Sequence, residues 1–275
     1  MQEKIVIVGG GTMGRAFAHG LLQSKTITPS NLVIAHPSVR AVQDLWHRGV
    51  SVVENNREAI KDADIIILAV KPQIVAAVLE EIGSSLPQKA LLISIAAGIS
   101  LDTLQGLMPQ RQSTVRVMPN LCAKIGQSMS VWVKGNDVST RHTEVTRKIL
   151  LSVGEECELK QESHIDIATA ISGSGPAYLF YVAELLQVKS QELGLSAEIS
   201  RQLIRQTFLG SALMLKQETT SAAELRKSVT SKGGTTEAAF REFDKAKLAR
   251  VLSMGIDAAA KRARELDREI KKKYV

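Results

Sequence analysis

The sequence predicts an α/β protein with two parts, a doubly wound parallel sheet followed by an all-helical region. Two observations carry this prediction. Up to about residue 160, short apolar runs rich in Val and Ile alternate with helical patterns, which is typical of parallel strands covered on both faces. Beyond residue 163, only helical periodicity remains. We therefore predict a first domain of residues 1–161 and a second domain of residues 162–275.

The apolar runs of the first domain are predicted strands. They lie at residues 4–8, 31–35, 50–53, 64–70, 90–96, 114–118, 129–133 and 154–159. Helical patterns that are long enough to connect parallel strands lie at residues 13–24, 39–48, 72–84 and 140–152. In the second domain, helices are predicted at residues 164–172, 176–193, 197–216, 222–229 and 237–271.

Composition and charge favour a globular protein of the cytoplasm. The chain is 44% hydrophobic and 23% charged, and its two cysteines, Cys122 and Cys157, suit neither a disulfide scaffold nor a compact zinc site. We expect no signal peptide, and no apolar run approaches the roughly 20 residues of a membrane span. The net charge of +7 is concentrated near the C-terminus and only 4% of residues are aromatic. We therefore expect no membrane, nucleic-acid or metal partner.

A cluster of glycines directly after the first predicted strand indicates a ligand site. Gly9, Gly11 and Gly14, with Thr12 and Met13 between them, match the spacing that allows a tight turn and a close approach of backbone to a pyrophosphate. The alternative is a glycine-rich turn without a ligand. The position of the cluster, at the start of a strand–helix–strand unit, favours a dinucleotide site of the Rossmann type.

The end of the second predicted strand indicates which dinucleotide binds. Sites that prefer NAD usually carry an Asp or Glu there, which holds the ribose 2′-hydroxyl. This chain has no carboxylate at that place, whereas Ser38 and Arg40, with His36 nearby, suit a 2′-phosphate. We expect NADPH as the preferred cofactor, with NADH possible. The alternative is that Arg40 is only a solvated residue of the next helix.

Three further groups of small or turn-forming residues follow predicted strands, at the edge of the sheet where ligands bind in such folds. They leave room for a flat ring or a ribose, although each group is also compatible with an ordinary turn. Besides the glycine cluster, Ser38 and Arg40, the predicted cofactor contacts are Asn56, Ala69, Val70, Lys71, Pro72, Ala97, Gly98 and Asn120.

Two motifs of the helical region are more distinctive. Residues 166–178 read DIATAISGSGPAY, and residues 229–238 read VTSKGGTTEA. With the glycine cluster, AVKP, SIAAG and RVMPN, all in the same order, they resemble the pyrroline-5-carboxylate reductase family over essentially the whole chain. The resemblance implies a Rossmann domain, a helical dimerisation domain, and homodimers that often assemble into larger rings. It also implies reduction of 1-pyrroline-5-carboxylate to L-proline by NAD(P)H, the last step of proline biosynthesis.

The glycines of the second motif suit the carboxylate of this substrate. Backbone N–H groups and hydroxyls at a helix N-terminus bind small anions, and a Cβ would obstruct their close approach. The alternative is a helix-breaking turn with good N-caps. Matched to the family motif, the predicted substrate contacts are Val229, Ser231, Gly233, Gly234, Thr235 and Thr236. Thr236 is the predicted catalytic residue, expected to hydrogen-bond the ring nitrogen and to help deliver its proton.

The chain departs from the family pattern at two places. Where the family has Thr-Pro-Ala after Met-Pro-Asn, this chain has Leu121 and Cys122 before the alanine, which puts in doubt one hydroxyl beside the nicotinamide. Where the family has Ser-Pro-Gly-Gly, Lys232 replaces the proline. The charge of Lys232 either strengthens anion binding or faces solvent.

Other functions stay open on the sequence alone. One is reduction of a related cyclic imine, and another is a regulatory role in a paralogue whose catalysis is altered by the two departures. A third is a hydroxyacid dehydrogenase of the 6-phosphogluconate dehydrogenase-like group, which shares the glycine pattern. That group relies on a lysine in a Gly-x-x-x-Lys helix motif, and residues 172–191 contain no such motif.

We expect the substitution Arg40→Ala to raise the Michaelis constant for NADPH more than that for NADH, because only NADPH carries the phosphate that the guanidinium would bind. Steady-state kinetics with both cofactors measure this ratio. An unchanged ratio would show that Arg40 does not bind the 2′-phosphate.

Overall fold

The computed structural model describes residues 1–274, so Val275, the last residue of the predicted second domain, lies outside the described residues. The chain forms two compact units. The first contains Met1–Pro176 and the end of the last helix from Ala258 onward, and the second contains Ala177–Asp257. Compact units and sequence domains are different divisions of a chain, so the boundary after residue 161 stays a prediction.

The first unit is built on a sheet with the strand order β3-β2-β1-β4-β5-β6-β7-β8. The strands are β1 Ile5–Val8, β2 Leu32–Ala35, β3 Ser51–Val53, β4 Ile65–Leu68, β5 Leu91–Ser94, β6 Ser113–Met118, β7 Ser128–Lys134 and β8 Gly154–Glu158. The first six strands are parallel, whereas β7 runs antiparallel to β6. The chain order reverses between β1 and β4, which confirms the predicted doubly wound sheet.

Apolar side chains cover both faces of this sheet. Ile5 and Ile7 of β1 belong to one apolar core with Phe17, whereas Val6 and Val8 belong to a second core with other side chains. Successive residues of a strand point to opposite faces, so a strand that is buried on both faces reads as a continuous apolar run. This packing explains why the strands were predictable.

Helices connect these strands and follow them along the chain. They are α1 Thr12–Gln23, α2 Gln43–Trp46, α3 Asn56–Ile60, α4 Pro72–Ile82, α5 Leu101–Gly106, α6 Thr140–Leu151, α7 Ser163–Ala168, α8 Gly175–Glu192, α9 Ala197–Gln217, α10 Ala222–Ser228, α11 Thr235–Lys245 and α12 Leu248–Tyr274. Helices α3 and α5 were not predicted, because elements of five and six residues are too short to show periodicity. The predicted helix 39–48 is a 3₁₀ turn, Val39–Val42, followed by α2.

The prediction of one helix over residues 237–271 is wrong. Helix α11 ends at Lys245, and α12 begins at Leu248. Between them, Lys247 has a φ of +55°, the left-handed conformation that ends a helix. Glycine usually marks such a position in a sequence, and a lysine gives no signal.

The predicted helix 164–172 is α7 followed by a π-helical turn, Thr169–Gly173. Pro176 has no N–H group, so it cannot donate the α-helical hydrogen bond to the carbonyl of Ser172. The side-chain amide of Asn120, just beyond β6, donates to that carbonyl at 3.1 Å. A Cβ on Gly173 would lie 2.6 Å from Cε of Met118. The end of β6 therefore packs directly against the π-helical turn.

A buried ion-pair network anchors β6 to the segment that follows the sheet. The side chain of Arg116 in β6 is only 4% exposed, and it donates to Glu162 Oε1 at 2.9 Å and to Asp166 Oδ1 at 2.8 Å. Glu162 Oε1 also accepts the backbone N–H of Leu101 at 2.7 Å, at the start of α5. One buried guanidinium thus connects β6, α5 and α7.

We expect Arg116→Ala to lower the free energy of unfolding by about 3–5 kcal/mol, because it leaves two carboxylates without their buried partner. Urea denaturation at a fixed protein concentration measures the change. The control is Arg111→Ala, which removes an exposed pair with Asp137 at 3.6 Å and should cost at most about 1 kcal/mol. Equal losses for both variants would contradict the role given to Arg116.

Candidate cofactor and substrate sites

The glycine turn between β1 and α1 has the geometry of a dinucleotide-binding loop. Gly9 has a φ of +107°, and a Cβ there would lie 2.7 Å from the carbonyl oxygen of Ala69. A Cβ on Gly14 would collide with the carbonyl oxygen of Gly9. The fold itself therefore requires both glycines. Gly9 is needed for its positive φ, and Gly9 and Gly14 are both needed because a Cβ would have no space.

Gly11 differs from these two glycines. Its φ of −72° and ψ of −170° are open to any residue, and a Cβ there would meet no atom within 4 Å. It is the N-cap of α1, and no side chain caps this helix. Packing gives no reason for a glycine at this position. A phosphate held by the free N–H groups of the helix N-terminus does give one, so the turn fits a dinucleotide.

A cleft of ≈ 430 Å³ lies over this helix N-terminus, and basic side chains line it. They are Arg15, His19, His36 and Lys124, beside Gly11 and Thr12. Sequence reasoning missed Arg15 and Lys124, because no spacing rule marks a cation just after the glycine pattern or in the turn after β6. Their charges favour a phosphate-bearing ligand.

The predicted cofactor residues follow five neighbouring parallel strands at one edge of the sheet. The glycine cluster follows β1, Ser38 and Arg40 follow β2, Ala69, Val70, Lys71 and Pro72 follow β4, Ala97 and Gly98 follow β5, and Asn120 follows β6. Asn56 lies at the start of α3, after β3. The sheet thus brings these residues to the edge where ligands bind in such folds.

The loop after β2 presents Ser38 and Arg40 to solvent. The backbone N–H of Ser38 donates to Nδ1 of His36 at 3.0 Å, which fixes the start of the loop. The side chain of Arg40 makes no hydrogen bond or ion pair with the described residues. Its guanidinium is therefore available for an anion.

Other predicted cofactor residues already have structural partners. Nδ2 of Asn56 donates to Glu81 at 2.9 Å, and Oδ1 of Asn120 accepts the N–H of Cys122 at 3.0 Å. Gly98 has a φ of +65°, and a Cβ there would lie 2.8 Å from Cβ of Leu266 in α12. These residues stay predicted cofactor contacts.

The end of α12 fixes the loop after β5 in place. Oδ1 of Asp267 accepts the N–H of Ser100 at 2.7 Å and the hydroxyl of Thr103 at 2.9 Å. Helix α12 therefore supports the Ala97-Gly98 loop through both packing and hydrogen bonds.

The predicted substrate loop lies in the second unit, between α10 and α11. Gly233 has a φ of +74°, and Gly234 is the N-cap of α11, with no side-chain cap. The N–H of Gly233 donates to Oε2 of Glu237 at 2.8 Å. The Glu237 carboxylate thus accepts a hydrogen bond from an amide of this loop. The amide is therefore oriented to bind a carboxylate.

The hydroxyl residues of this loop begin α11. Thr235 and Thr236 are its first two residues, and among the described residues their hydroxyls make no hydrogen bond. Ser231 and Lys232 are exposed, and the carbonyl of Ser231 accepts the N–H of Gly234 at 3.0 Å. Val229, the C-cap of α10, is 64% exposed. The loop therefore has unused hydroxyl groups at a helix N-terminus.

The second unit has no apolar core of its own. Between Ala177 and Asp257, Ser200 is the only buried residue. Helix α8 has no buried residue over its 18 positions, although it carries large apolar side chains on every face. Those exposed by at least half are Leu179, Phe180, Tyr181, Leu185 and Val188. A helix that is apolar all round is normally covered, so this unit forms an interface.

No group of three or more His, Cys, Asp or Glu residues in the described part of the chain is placed to hold a metal ion. None of the helices in residues 1–274 combines the length and apolar character needed to cross a membrane.

The sheet order, the glycine turn and the open helix N-terminus define a dinucleotide-binding protein of the Rossmann class. Comparison with known proteins identifies the family. Residues 162–266 match the model of the pyrroline-5-carboxylate reductase dimerisation domain, and residues 4–98 match that of the F420-dependent NADP oxidoreductases. The pyrroline-5-carboxylate reductase of Pasteurella multocida is 34% identical, over 98% of this chain and 99% of its own.

Solved structures agree with this match. The pyrroline carboxylate reductase of Plasmodium falciparum, solved with NADP bound, is 30% identical with a TM-score of 0.89, over 97% of this chain and 99% of that one. The Coxiella burnetii pyrroline-5-carboxylate reductase is 31% identical with a TM-score of 0.88, over the same shares. The chain belongs to the pyrroline-5-carboxylate reductase family, and its helical region is the dimerisation domain of that family, which confirms the resemblance seen in the motifs.

A methyl group on Gly11 should separate binding from folding. We expect Gly11→Ala to lower the melting temperature only slightly, by the small cost of an alanine at an N-cap, because its Cβ meets no protein atom. It should weaken NADPH binding by at least about tenfold. Gly14→Ala is the contrasting variant, because its Cβ has no space and should destabilise the fold. Thermal unfolding and calorimetric titration measure the two effects. Unchanged NADPH affinity in Gly11→Ala would exclude a phosphate at this position.

Proposed function

We propose that this protein reduces 1-pyrroline-5-carboxylate to L-proline with NAD(P)H, the last step of proline biosynthesis. The observation that carries the proposal is the hydrogen bond from the Gly233 amide to a carboxylate at the start of α11. Membership of the family supports the same reaction. The open N-terminus of α1 supports the cofactor half of the reaction.

The substrate carboxylate would bind at the loop before α11. It would take the place of the Glu237 carboxylate on the Gly233 amide, with the N-terminal end of the helix dipole favouring its charge. Arg241 lies 3.8 Å from Oε2 of Glu237 and would keep that side chain paired after its displacement. The glycines and the hydroxyl of Ser231 complete the proposed carboxylate site.

Thr236 would act on the ring nitrogen. When bound, the reduced nicotinamide supplies a hydride, which forms the new C–H bond at the C=N carbon. The π electron pair of the C=N bond moves to nitrogen, which keeps one proton as it becomes the amine of proline. The Thr236 hydroxyl, which has no partner among the described residues, would hydrogen-bond this nitrogen and relay the proton to it from solvent before the hydride arrives.

Positioning supplies most of the catalysis in this scheme. A protonated C=N bond is already a good hydride acceptor, so the protein has mainly to hold the two reactants in line. This requirement agrees with a chain whose motifs contain no nucleophile–base pair. It also makes a rigid sheet edge and a fixed carboxylate loop the essential features.

The proposal includes NADPH as the preferred cofactor. Ser38 and Arg40 stand where NAD-preferring sites carry a carboxylate, and Arg40 is unpaired among the described residues. The Plasmodium falciparum relative was solved with NADP bound. NADH is the proposed second cofactor.

We also propose a homodimer in the cytoplasm. Two copies that pack their apolar α8 helices together would give the second unit the core that it lacks alone. The larger ring that the family resemblance implies is a proposal of the same kind. Both cysteines are free thiols, which agrees with a reducing compartment.

The two departures from the family pattern do not remove the groups that the proposal uses. Leu121 is exposed at the start of a 3₁₀ turn, and the side chain of the preceding Asn120 keeps its two hydrogen bonds. Lys232 is exposed beside the Gly233 amide, where its charge would favour a carboxylate. These positions favour a working reductase over a regulatory paralogue.

The direct assay mixes the purified protein with pyrroline-5-carboxylate and NADPH and follows the loss of nicotinamide absorbance, with NADH in parallel. The proposal predicts turnover that is faster with NADPH. Binding of NADPH without turnover would point instead to a related cyclic imine or to the regulatory paralogue.

We expect Thr236→Val to lower kcat by about 10²-fold, the lower end of general acid–base effects, with little change in the substrate Michaelis constant. Thr236→Ser keeps the hydroxyl and should retain most of the activity. Steady-state kinetics at saturating NADPH distinguish the two variants. A similar loss in both would mean that the hydroxyl does not take part.

A further inference from the structure

We propose that Arg15 of α1 binds the 2′-phosphate of NADPH and that Asp44 of α2 positions its guanidinium. The inference rests on the proposed cofactor preference. Ser38 and Arg40 both follow β2. Arg15 would be a further specificity-determining cation, and it belongs to a different element, α1.

The side chain of Arg15 extends from the first turns of α1 to the segment after β2. Its Nη1 donates to the carbonyl of Ala41 at 3.4 Å, and its Nη2 lies 3.0 Å from Oδ1 of Asp44. The guanidinium is therefore next to the backbone of the residue that follows Arg40. Arg15 also lines the cleft that contains Gly11 and His36. It thus lies between the proposed pyrophosphate site and the proposed 2′-phosphate site.

Asp44 is itself held from two sides. Its Oδ2 accepts a hydrogen bond from Nε2 of His19 at 2.6 Å. Nη1 of Arg48 donates to Nδ1 of the same ring at 3.0 Å, so the proton of a neutral His19 lies on Nε2. Burial raises the pKa of Asp44, but the hydrogen bonds from His19 and Arg15 outweigh it and keep the pKa below its usual range. Asp44 is thus an ionised, fixed anchor for Arg15 at neutral pH.

The charges of this cluster favour an additional anion. Arg15 is paired with the carboxylate of Asp44, whereas Arg48 contacts Nδ1 of His19 and forms no ion pair with a carboxylate of the described residues, which leaves one positive charge. Arg40 nearby adds another that no described residue neutralises. The cluster therefore has an excess of cations, which an additional anion would neutralise.

The guanidinium of Arg15 keeps donors for a ligand. Its side chain is 42% exposed, and only two contacts, with Ala41 and Asp44, occupy its five N–H groups. The fork of an arginine matches two phosphate oxygens, which a lysine does not. Asp44 would fix one edge of the fork and leave another edge toward the cleft.

The test compares two fragments of the cofactor that differ only in the 2′-phosphate, 2′,5′-ADP and 5′-AMP. Calorimetric titration of the purified protein measures both affinities, with no substrate and no turnover. We expect Arg15→Gln to weaken 2′,5′-ADP binding about tenfold, the effect of one charged hydrogen bond, and to leave 5′-AMP binding unchanged. Arg15→Lys keeps the charge but not the fork and should give a smaller loss.

The control is Arg141→Gln, which removes an equal charge and an ion pair of the same 3.0 Å length, with Glu3, away from the cleft. It should change neither affinity. The inference is overturned if Arg15→Gln binds 2′,5′-ADP as tightly as the wild type does. If Arg15→Gln does not fold, the same criterion applies to Arg15→Lys. It is also overturned if both fragments lose affinity equally. Failure of the wild type to reduce pyrroline-5-carboxylate would overturn the proposed function and leave this binding test intact.

Discussion

The buried guanidinium of Arg116 is the interaction on which the first unit depends. An arginine with a side chain that is only 4% exposed is tolerated in β6 because Glu162 and Asp166 both accept its hydrogen bonds. Glu162 in turn accepts an N–H at the start of α5, whose first turn is also held by Asp267 of α12. These few charges connect β6, the loop after β5 and α7. The predicted cofactor residues Ala97, Gly98 and Asn120 lie in that loop and just beyond β6.

Helix N-termini supply the proposed binding chemistry in both units. At α1, the space in front of Gly11 is open and the neighbouring side chains are basic, which suits a phosphate. At α11, the amide of Gly233 already holds a carboxylate oxygen of the chain. A reaction that needs a dinucleotide, a small carboxylate and one proton at a nitrogen requires little more. Thr236, whose hydroxyl is unpaired within the described residues, is the only side chain to which the proposal gives a chemical role.

The sequence predicted the features that depend on local pattern. The continuous apolar runs marked the strands because the sheet is covered on both faces, and the glycine spacing marked the turn after β1. It did not predict the break at Lys247, since a left-handed lysine leaves no trace in composition. The contact between Arg15 and Asp44 was missed because 29 positions separate them and no periodicity joins α1 to α2. The partners of Arg116 were missed for the same reason, because a cation within a strand gives no sign of which distant carboxylates it meets.

Deuterium transfer from the cofactor is the most direct test of hydride delivery to the imine. The protein would be given pyrroline-5-carboxylate and NADPH that carries deuterium at the reactive face of nicotinamide C4, and the product would be analysed by mass spectrometry and NMR. We expect L-proline with one deuterium at Cδ, the carbon of the former C=N bond. Proline without the label, or label at another carbon, would contradict hydride transfer to the imine.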